Sequence, residues 1–348
     1  MVIVSASLRN PLAEAWRRSF EVAGFETIGV LSSGTPSPCD SRWTSWRGLL
    51  ERVEVGRISC IIFWWGTQYF AAQTIPPELS KIRKVLVVDT YPNASVLSTE
   101  IREQYYLMLA RRRADCFVVY GDHMHTAIET APRVKRLPDI VALMQPYPLA
   151  THSASTGSPK LRDTNSVIFT GRSDLLFSDN PRMRKDRMGP FLESLLDLGF
   201  SVTVSDTGNP SENASLSRRG LSLYSRMTNS DVLDGKLSEV IDNYAIHLAG
   251  YNVNNRTIER RVKNGLSSRF SLGICARTCQ AVPKEAKSAV EFVQQHGIGF
   301  AYASPSDFVR TIEFLKGCLD NWDSSHHKWS AEAQVDSLRR IAYGPDSA

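Results

Sequence analysis

Short apolar runs alternate with stretches of helical periodicity through the first 150 residues of the 348-residue chain. Leu12, Trp16 and Phe20 recur at helical spacing, and residues 100–113 form a second helical stretch. Strands are predicted for residues 2–4, 27–31, 58–63, 85–88 and 117–120. Continuous apolar strands separated by helices are typical of a parallel sheet covered on both faces. The pattern therefore predicts a doubly wound, Rossmann-like α/β domain in residues 1–150.

The alternation stops at residues 145–166, where Pro, Ser, Thr and Gly dominate, and this stretch predicts a linker or an exposed loop. It then restarts. Phe191, Leu192, Leu195, Leu196 and Leu198 form a helical face that ends at Gly199. Residues 208–230 are predicted to be irregular, with one short helix. Strands are predicted for residues 167–169, 202–204, 246–249, 281–283 and 299–302.

The sequence pattern therefore predicts two Rossmann-like doubly wound domains, residues 1–150 and 151–324. Residues 325–348 carry Trp329, Val335, Leu338 and Ile341, which predict an amphipathic helix that packs back on the body. Ligands of open parallel sheets bind outside the carboxyl ends of the strands. With two such domains, the expected site is a central cleft that both domains face.

Composition narrows the class of protein. The chain is 42% hydrophobic and 22% charged, which is ordinary for a folded globular protein, and its net charge is +5. This charge fits an anionic ligand or weak peripheral contact with an acidic membrane, but it falls short of a dedicated nucleic-acid binder. The six cysteines show no spacing typical of disulfides or of a zinc site. The first residues do not have the pattern of a signal peptide. The longest apolar run, 61–65, is too short to span a bilayer. A cytoplasmic protein is predicted.

The order of elements in residues 240–300 is the most specific feature of the second half. A strand ends near Tyr251, a polar stretch follows at 256–261, residues 265–276 lead into a helix, and the short strand 281–283 ends at Lys284 and Glu285. This order resembles the donor-binding half of glycosyltransferases of the GT-B fold, most closely the retaining family 4 type. The resemblance implies a nucleotide-sugar donor, retention of anomeric configuration and Glu285 near the donor. The chain departs from the family in having Gly265 and Gly273 where the family has two glutamates that contact the donor sugar and the ribose.

Residues near these two glycines are nevertheless suited to bind a diphosphate. Ser267, Ser268 and Arg269 open a helix, whose first N–H groups attract anions, and Arg269 offers a bidentate guanidinium. The alternative is an ordinary serine helix cap beside a surface arginine. Gly171 and Arg172 follow the first strand of the second domain, and the resemblance gives Arg172, with Arg184 or Lys185, the task of neutralising the leaving diphosphate. A solvated basic helix face is the alternative for these cations.

Two residues of the first half follow predicted strands and are candidates for catalysis. His123 could act as a general base or orient an acceptor hydroxyl, and Asp89 could contact the acceptor. A helix-capping role for Asp122 and a turn role for Asp89 are the structural alternatives. Trp64, Trp65 and Tyr69 follow another strand and either pack in the core or stack on a ligand.

These features predict a glycosyltransferase that uses no cofactor, takes a nucleotide sugar as its donor substrate and acts without a metal, because no convincing Asp-x-Asp pair follows a strand. The acceptor and the oligomeric state are left open by the sequence. Two other functions stay open: a sugar-nucleotide epimerase on the same two-domain scaffold, and a non-catalytic binding or partner protein, which the two missing glutamates favour.

Overall fold

A computed structural model gives the structure of most of the chain. It describes residues 1–6, 11–31, 42–64, 70, 74–88, 97–131, 138–143, 163–179, 186–253, 262–310, 314–315, 317–318, 321, 331 and 333–345. The chain divides into two compact units, Met1–Ala150 together with Lys328–Ala348, and Thr151–His327. None of the helices in the described ranges combines the length and the hydropathy needed to cross a bilayer.

The first unit contains a sheet of seven parallel strands in the order β3-β2-β1-β4-β5-β6-β7. The strands are β1 (Val2–Ala6), β2 (Thr27–Leu31), β3 (Trp43–Thr44), β4 (Cys60–Trp64), β5 (Arg83–Val88), β6 (Cys116–Tyr120) and β7 (Asp139–Leu143). Its helices are Pro11–Val22, Trp46–Arg52, Leu97–Arg111, Asp122–Glu129 and Val335–Tyr343, with 3-10 turns at Val55–Arg57 and Pro77–Leu79. Every residue of β1, β4 and β6 is buried, because helices cover both faces of these central strands.

The second unit contains six parallel strands in the order β10-β9-β8-β11-β12-β13. The strands are β8 (Ser166–Phe169), β9 (Ser201–Ser205), β10 (Ser222–Tyr224), β11 (Ile246–Leu248), β12 (Cys279–Pro283) and β13 (Gly299–Tyr302). Its helices are Gly189–Asp197, Pro210–Arg218, Asn229–Leu233, Lys236–Ile241, Ser268–Cys275, Lys287–His296 and Ser306–Val309, with a 3-10 turn at Ser173–Leu175. In both sheets the strand order reverses at the first strand: β1 lies between β2 and β4, and β8 lies between β9 and β11.

The prediction of two doubly wound parallel-sheet domains is confirmed. The sequence pattern missed three strands, β3, β7 and β10, and each lies at an edge of its sheet. Edge strands are short or partly exposed, so their apolar signal is weak; no residue of β10 is fully buried. The region 208–230 is accordingly more regular than predicted, with the helix Pro210–Arg218 and β10 in it. The predicted polar stretch 256–261, Trp329 and nearly all of the predicted linker lie outside the described residues.

The helix Val335–Tyr343 packs on the first unit. Leu338 and Ile341 are fully buried, which is the apolar face that the sequence pattern indicates. Arg83 Nε, at the start of β5, donates to the carbonyl of Ile341 over 3.0 Å, and Arg340 contacts Asp139 over 3.1 Å. The end of the chain therefore belongs to the same compact unit as its beginning.

A buried ion network joins the first helix to β2 and β3. The Arg17 side chain is 1% exposed and donates two hydrogen bonds to Glu14, one of 2.9 Å and one of 2.7 Å. Trp43 Nε1 donates to the same carboxylate over 2.9 Å, and Arg17 also donates to Thr27. Burial by itself raises the pKa of Glu14, but the hydrogen bonds and charge of Arg17, with Trp43 and Arg42, outweigh it, so the pKa is lowered from its ordinary 4.5.

Substitution Glu14→Gln is expected to lower the free energy of unfolding by about 3 kcal/mol, since it leaves the buried Arg17 cation without its main partner. The matched control, Glu51→Gln, removes one end of an exposed pair with Arg47 and should cost less than about 0.5 kcal/mol. Urea denaturation of the three proteins at pH 7 measures both values. Equal midpoints for the two variants would contradict a structural role for the network.

The network also gives a pH dependence. The folded pKa of Glu14 is lowered, so its contribution to stability is complete above pH 4.5 and is lost as the pH falls through the lowered value. The difference in unfolding free energy between the unaltered chain and Glu14→Gln should therefore shrink on acidification below pH 4.5. A difference that grows on acidification would contradict this assignment.

Candidate functional site

The carboxyl ends of the strands of the second unit lie at one edge of its sheet. β8 ends at Phe169, β11 at Leu248, β12 at Pro283 and β13 at Tyr302, and all pairs are parallel. The loops that follow these strands carry most of the predicted ligand-binding residues of this half of the chain. This is the edge at which ligands of open α/β sheets bind.

The helix Ser268–Cys275 begins at this edge. Ser267 is its N-cap, and its hydroxyl accepts from the amide of Phe270 over 3.2 Å, so this serine caps the helix as in the structural alternative. The amide of Ser271 bonds to the carbonyl of Ser267. Within the described part of the chain, the amides of Ser268 and Arg269 have no acceptor. These two donors, with the helix dipole, are available for an anion.

Arg269 is already engaged in an ion pair. Its guanidinium donates to Asp186 Oδ1 over 2.5 Å and to the carbonyl of Gly250 over 2.9 Å, and the two side chains of the pair are 12% and 4% exposed. The same guanidinium lies over the ring of Tyr251, at 4.4 Å from its centroid, and 5.3 Å from that of Phe169. Arg269 thus connects the loops after β8 and β11 to the segment before the helix Gly189–Asp197. Its proposed part in binding a diphosphate stays a prediction.

Gly171 and Arg172 follow β8. A Cβ at Gly171 would lie 2.0 Å from the Phe169 ring and 3.0 Å from Arg269 Cζ, so only glycine allows this close approach. The Arg172 side chain is 60% exposed and pairs with the neighbouring Asp174. An exposed pair of this kind costs little to open, so the guanidinium is available for a ligand. Arg184 and Lys185 lie outside the described residues.

An aromatic pocket of about 310 Å³ opens beside these loops. Its lining includes Arg187, Phe191, Tyr251 and Tyr302. The Tyr302 hydroxyl is buried and has no hydrogen-bond partner among the described residues, an arrangement that costs about 1–3 kcal/mol unless a ligand pairs with it. Burial raises the pKa of Tyr302, and the carboxylate of Glu285 adds to this, so the hydroxyl keeps its proton and can donate. Sequence reasoning placed Glu285 near the donor but missed Tyr302.

The space beside Gly273 is filled by two polar side chains. A Cβ at this position would lie 2.0 Å from His247 Nδ1 and 2.2 Å from Gln280 Oε1. These side chains come from β11 and β12 and are fully buried. The sequence showed that a glutamate is missing at position 273 but not why. The structure gives the reason: the helix packs directly on the His247–Gln280 pair, so no side chain fits here. Polar residues in the middle of apolar strands were the available signal.

Substitution Gly273→Ala is expected to destabilise the protein by about 2 kcal/mol, because the methyl group overlaps two buried polar side chains. Gly56→Ala is the matched control, since a Cβ there meets nothing within 4 Å, and it should change stability by less than about 0.5 kcal/mol. Thermal unfolding measures both. A Gly273→Ala melting temperature equal to that of the unaltered chain would show that the helix does not need this close approach.

The candidate residues of the first unit lie after β6. Gly121, with φ of 90°, is the N-cap of the helix Asp122–Glu129, so Asp122 is its first residue rather than its cap. His123 is half-buried in the first turn, and His125 approaches Glu129 over 3.5 Å. Tyr120, at the end of β6, accepts from Trp16 Nε1 over 2.9 Å. Asp89, Trp65 and Tyr69 lie outside the described residues, whereas Trp64 is buried in the core. The catalytic roles of His123 and Asp89 stay predictions.

Among the described residues, no three His, Cys, Asp or Glu side chains lie close enough together to hold a metal ion. His123 and His125 therefore have no third ligand within this part of the chain. Metal independence stays a prediction.

No protein-family model and no curated protein matches this sequence. Solved structures do match. They include S. aureus TarM, in a structure that also contains UDP (TM-score 0.53, 10% identity over 85% of this chain and 58% of TarM). The UDP-forming α,α-trehalose-phosphate synthase of Burkholderia vietnamiensis matches with a TM-score of 0.58 and 10% identity over 99% of both chains.

An α-glucosyltransferase in complex with UDP-glucose and DNA containing an abasic site matches with a TM-score of 0.55 and 13% identity over 98% of both chains. The chain spans less than 60% of the length of the TarM structures, but nearly all of the other two. At these identities the likeness is one of fold. It supports the GT-B part of the resemblance: the two parallel-sheet domains have the fold of GT-B glycosyltransferases.

Proposed function

We propose that this chain is a glycosyltransferase that takes a sugar from a nucleotide-sugar donor and passes it to an acceptor nucleophile. The observation that carries the proposal is the aromatic pocket with the buried Tyr302 hydroxyl, beside the amides that open the helix Ser268–Cys275. A planar base fits the pocket, and a diphosphate fits the amides. Tyr251 joins the two features, since it lines the pocket and lies against Arg269.

The proposed reaction builds negative charge at a defined place. The bond between the anomeric carbon and the phosphate oxygen breaks, the electron pair stays on the diphosphate, and the acceptor nucleophile forms the new bond and loses its proton. Fixed positive charge and N–H donors stabilise the leaving group as this charge develops. Arg172 suits this task because its side chain is 60% exposed and its partner in the described structure, Asp174, is itself 36% exposed.

The retaining outcome and the family 4 type belong to the same proposal, on the strength of the sequence resemblance. The lack of a metal requirement also belongs to it, because no convincing Asp-x-Asp pair follows a strand. The acceptor would bind at the strand ends of the first unit. His123 lies one turn from the end of β6, where it could take the proton of an acceptor hydroxyl.

One observation favours a second candidate, a binding protein without transfer activity. The site of one motif glutamate cannot hold any side chain, because His247 and Gln280 occupy the space next to Gly273. A scaffold that lost its acidic contacts could still bind a nucleotide and present it to a partner. The two candidates share the pocket and differ in turnover, so donor cleavage in the presence of an acceptor extract separates them.

A thermal-shift panel of uridine, guanosine, adenosine and thymidine diphosphates, each with and without glucose attached, tests the donor site. Binding to the folded state alone must raise the melting temperature. One nucleotide is expected to shift the unaltered chain selectively. Tyr302→Phe should reduce that shift while leaving the melting temperature without ligand unchanged or higher, because the variant removes a buried hydroxyl that has no partner in the described structure.

Arg172→Ala is the matching variant for the diphosphate, and it should weaken binding about tenfold without a loss of stability. Arg218→Ala, another exposed arginine of the same unit, is its control and should bind normally. Arg269→Ala is a poor probe, because it also breaks a buried ion pair. A panel with no shift for any nucleotide would contradict both candidates.

A further inference from the structure

A chain of hydrogen bonds runs from the interior of the second unit to its ligand-binding edge. Gln280 Nε2 donates to the carbonyl of Thr278, and Gln280 Oε1 faces His247 Nδ1 at 2.8 Å. His247 Nε2 in turn faces Thr170 Oγ1 at 2.9 Å. His247 and Gln280 are fully buried, whereas Thr170 is half-buried directly after β8.

In this series of hydrogen bonds, each bond fixes the direction of the next. The Gln280 amide cannot be turned around, because its oxygen would then face the Thr278 carbonyl oxygen, and two acceptors would be in contact. Gln280 Oε1 therefore accepts, and His247 Nδ1 carries the hydrogen. Burial, with a smaller contribution from the charge of Arg269, lowers the pKa of His247 to about 4, so its ring is neutral at pH 7. His247 Nε2 then has only a lone pair, and the Thr170 hydroxyl must donate to it.

This leaves Thr170 with an unusual property for a hydroxyl. Its single proton is committed to His247, so its oxygen can only accept from a further partner. No other hydrogen bond of this oxygen is formed within the described structure. Thr170 also lies next to Gly171, whose missing Cβ brings the chain close to Arg269 and the start of the helix Ser268–Cys275.

We propose that Thr170 is a specificity-determining residue that accepts a hydrogen bond from a hydroxyl of the bound ligand, either of the transferred sugar or of the ribose. This inference rests on the proposed function. An uncharged, acceptor-only oxygen suits a hydroxyl and disfavours a phosphate oxygen, which has no hydrogen to give at neutral pH. His247 and Gln280 act as positioning residues, since they hold the Thr170 proton inward without touching the ligand.

The hydrogen-bond series from Gln280 through His247 to Thr170, called the relay below, is tested without any ligand by ¹⁵N NMR of the imidazole rings. The His247 signals are assigned by their loss in His247→Gln. The expected result is a protonated Nδ1 and a bare Nε2, with no titration between pH 8 and pH 5.5. A hydrogen on Nε2, or titration near the ordinary histidine pKa of about 6.5, would overturn the relay.

The ligand contact is tested by calorimetric titration of the nucleoside diphosphate that gives the largest shift in the panel, and of its glucose ester. Thr170→Val removes the hydroxyl at nearly constant shape and should weaken binding about tenfold, whereas Thr170→Ser keeps it and should bind within about twofold of the unaltered chain. Weakening of both ligands assigns the hydroxyl to the ribose. Weakening of the glucose ester alone assigns it to the sugar.

Unchanged affinity of Thr170→Val for both ligands would overturn the inference and leave the proposed function standing. Failure of the unaltered chain to bind any nucleotide would overturn the ligand assignment together with the proposed function, while the NMR result would still decide the relay. Equal losses in Thr170→Val and Thr170→Ser would point to shape rather than hydrogen bonding and would also contradict the inference.

Discussion

The buried pair between Arg269 and Asp186 is the interaction on which the candidate site depends. It ties the start of the helix Ser268–Cys275 to the segment before the helix Gly189–Asp197, while the same guanidinium holds the Gly250 carbonyl and packs on Tyr251. A buried cation needs these partners, since removing one would cost about 3–5 kcal/mol. The pair therefore fixes the helix amides relative to the aromatic pocket, which is the geometry that a base and its diphosphate require.

The same packing explains how the site departs from the glycosyltransferase pattern that the sequence resembles. Glycine at position 273 lets the helix lie against His247 and Gln280, so a neutral, directional hydrogen-bond chain takes the space that a carboxylate would need. Under the proposed function, a neutral acceptor at Thr170 would avoid placing a negative charge beside the diphosphate.

The fold could be predicted because the sequence signal of a buried parallel strand is local: continuous apolar runs such as those of β4 and β6 mark such strands. It also placed Ser267 to Arg269 at a helix start and Arg172 after a strand. It failed where the signal is not local. The edge strand β3 has only two residues, and β7 and β10 are partly exposed, so none of the three gives a continuous buried run. The ion pair of Arg269 depends on Asp186, 83 residues earlier. The Tyr302 hydroxyl becomes a candidate ligand contact only because the fold places it in the pocket.

The central claim is that the strand-end edge of the second unit binds a nucleoside diphosphate. A crystal structure of the chain grown with uridine diphosphate, or with the nucleotide that binds best, tests it most directly. The account predicts a base within hydrogen-bond distance of the Tyr302 hydroxyl and phosphate oxygens within about 3 Å of the amides of Ser268 and Arg269. A nucleotide bound elsewhere, with this pocket holding only water, would contradict the account.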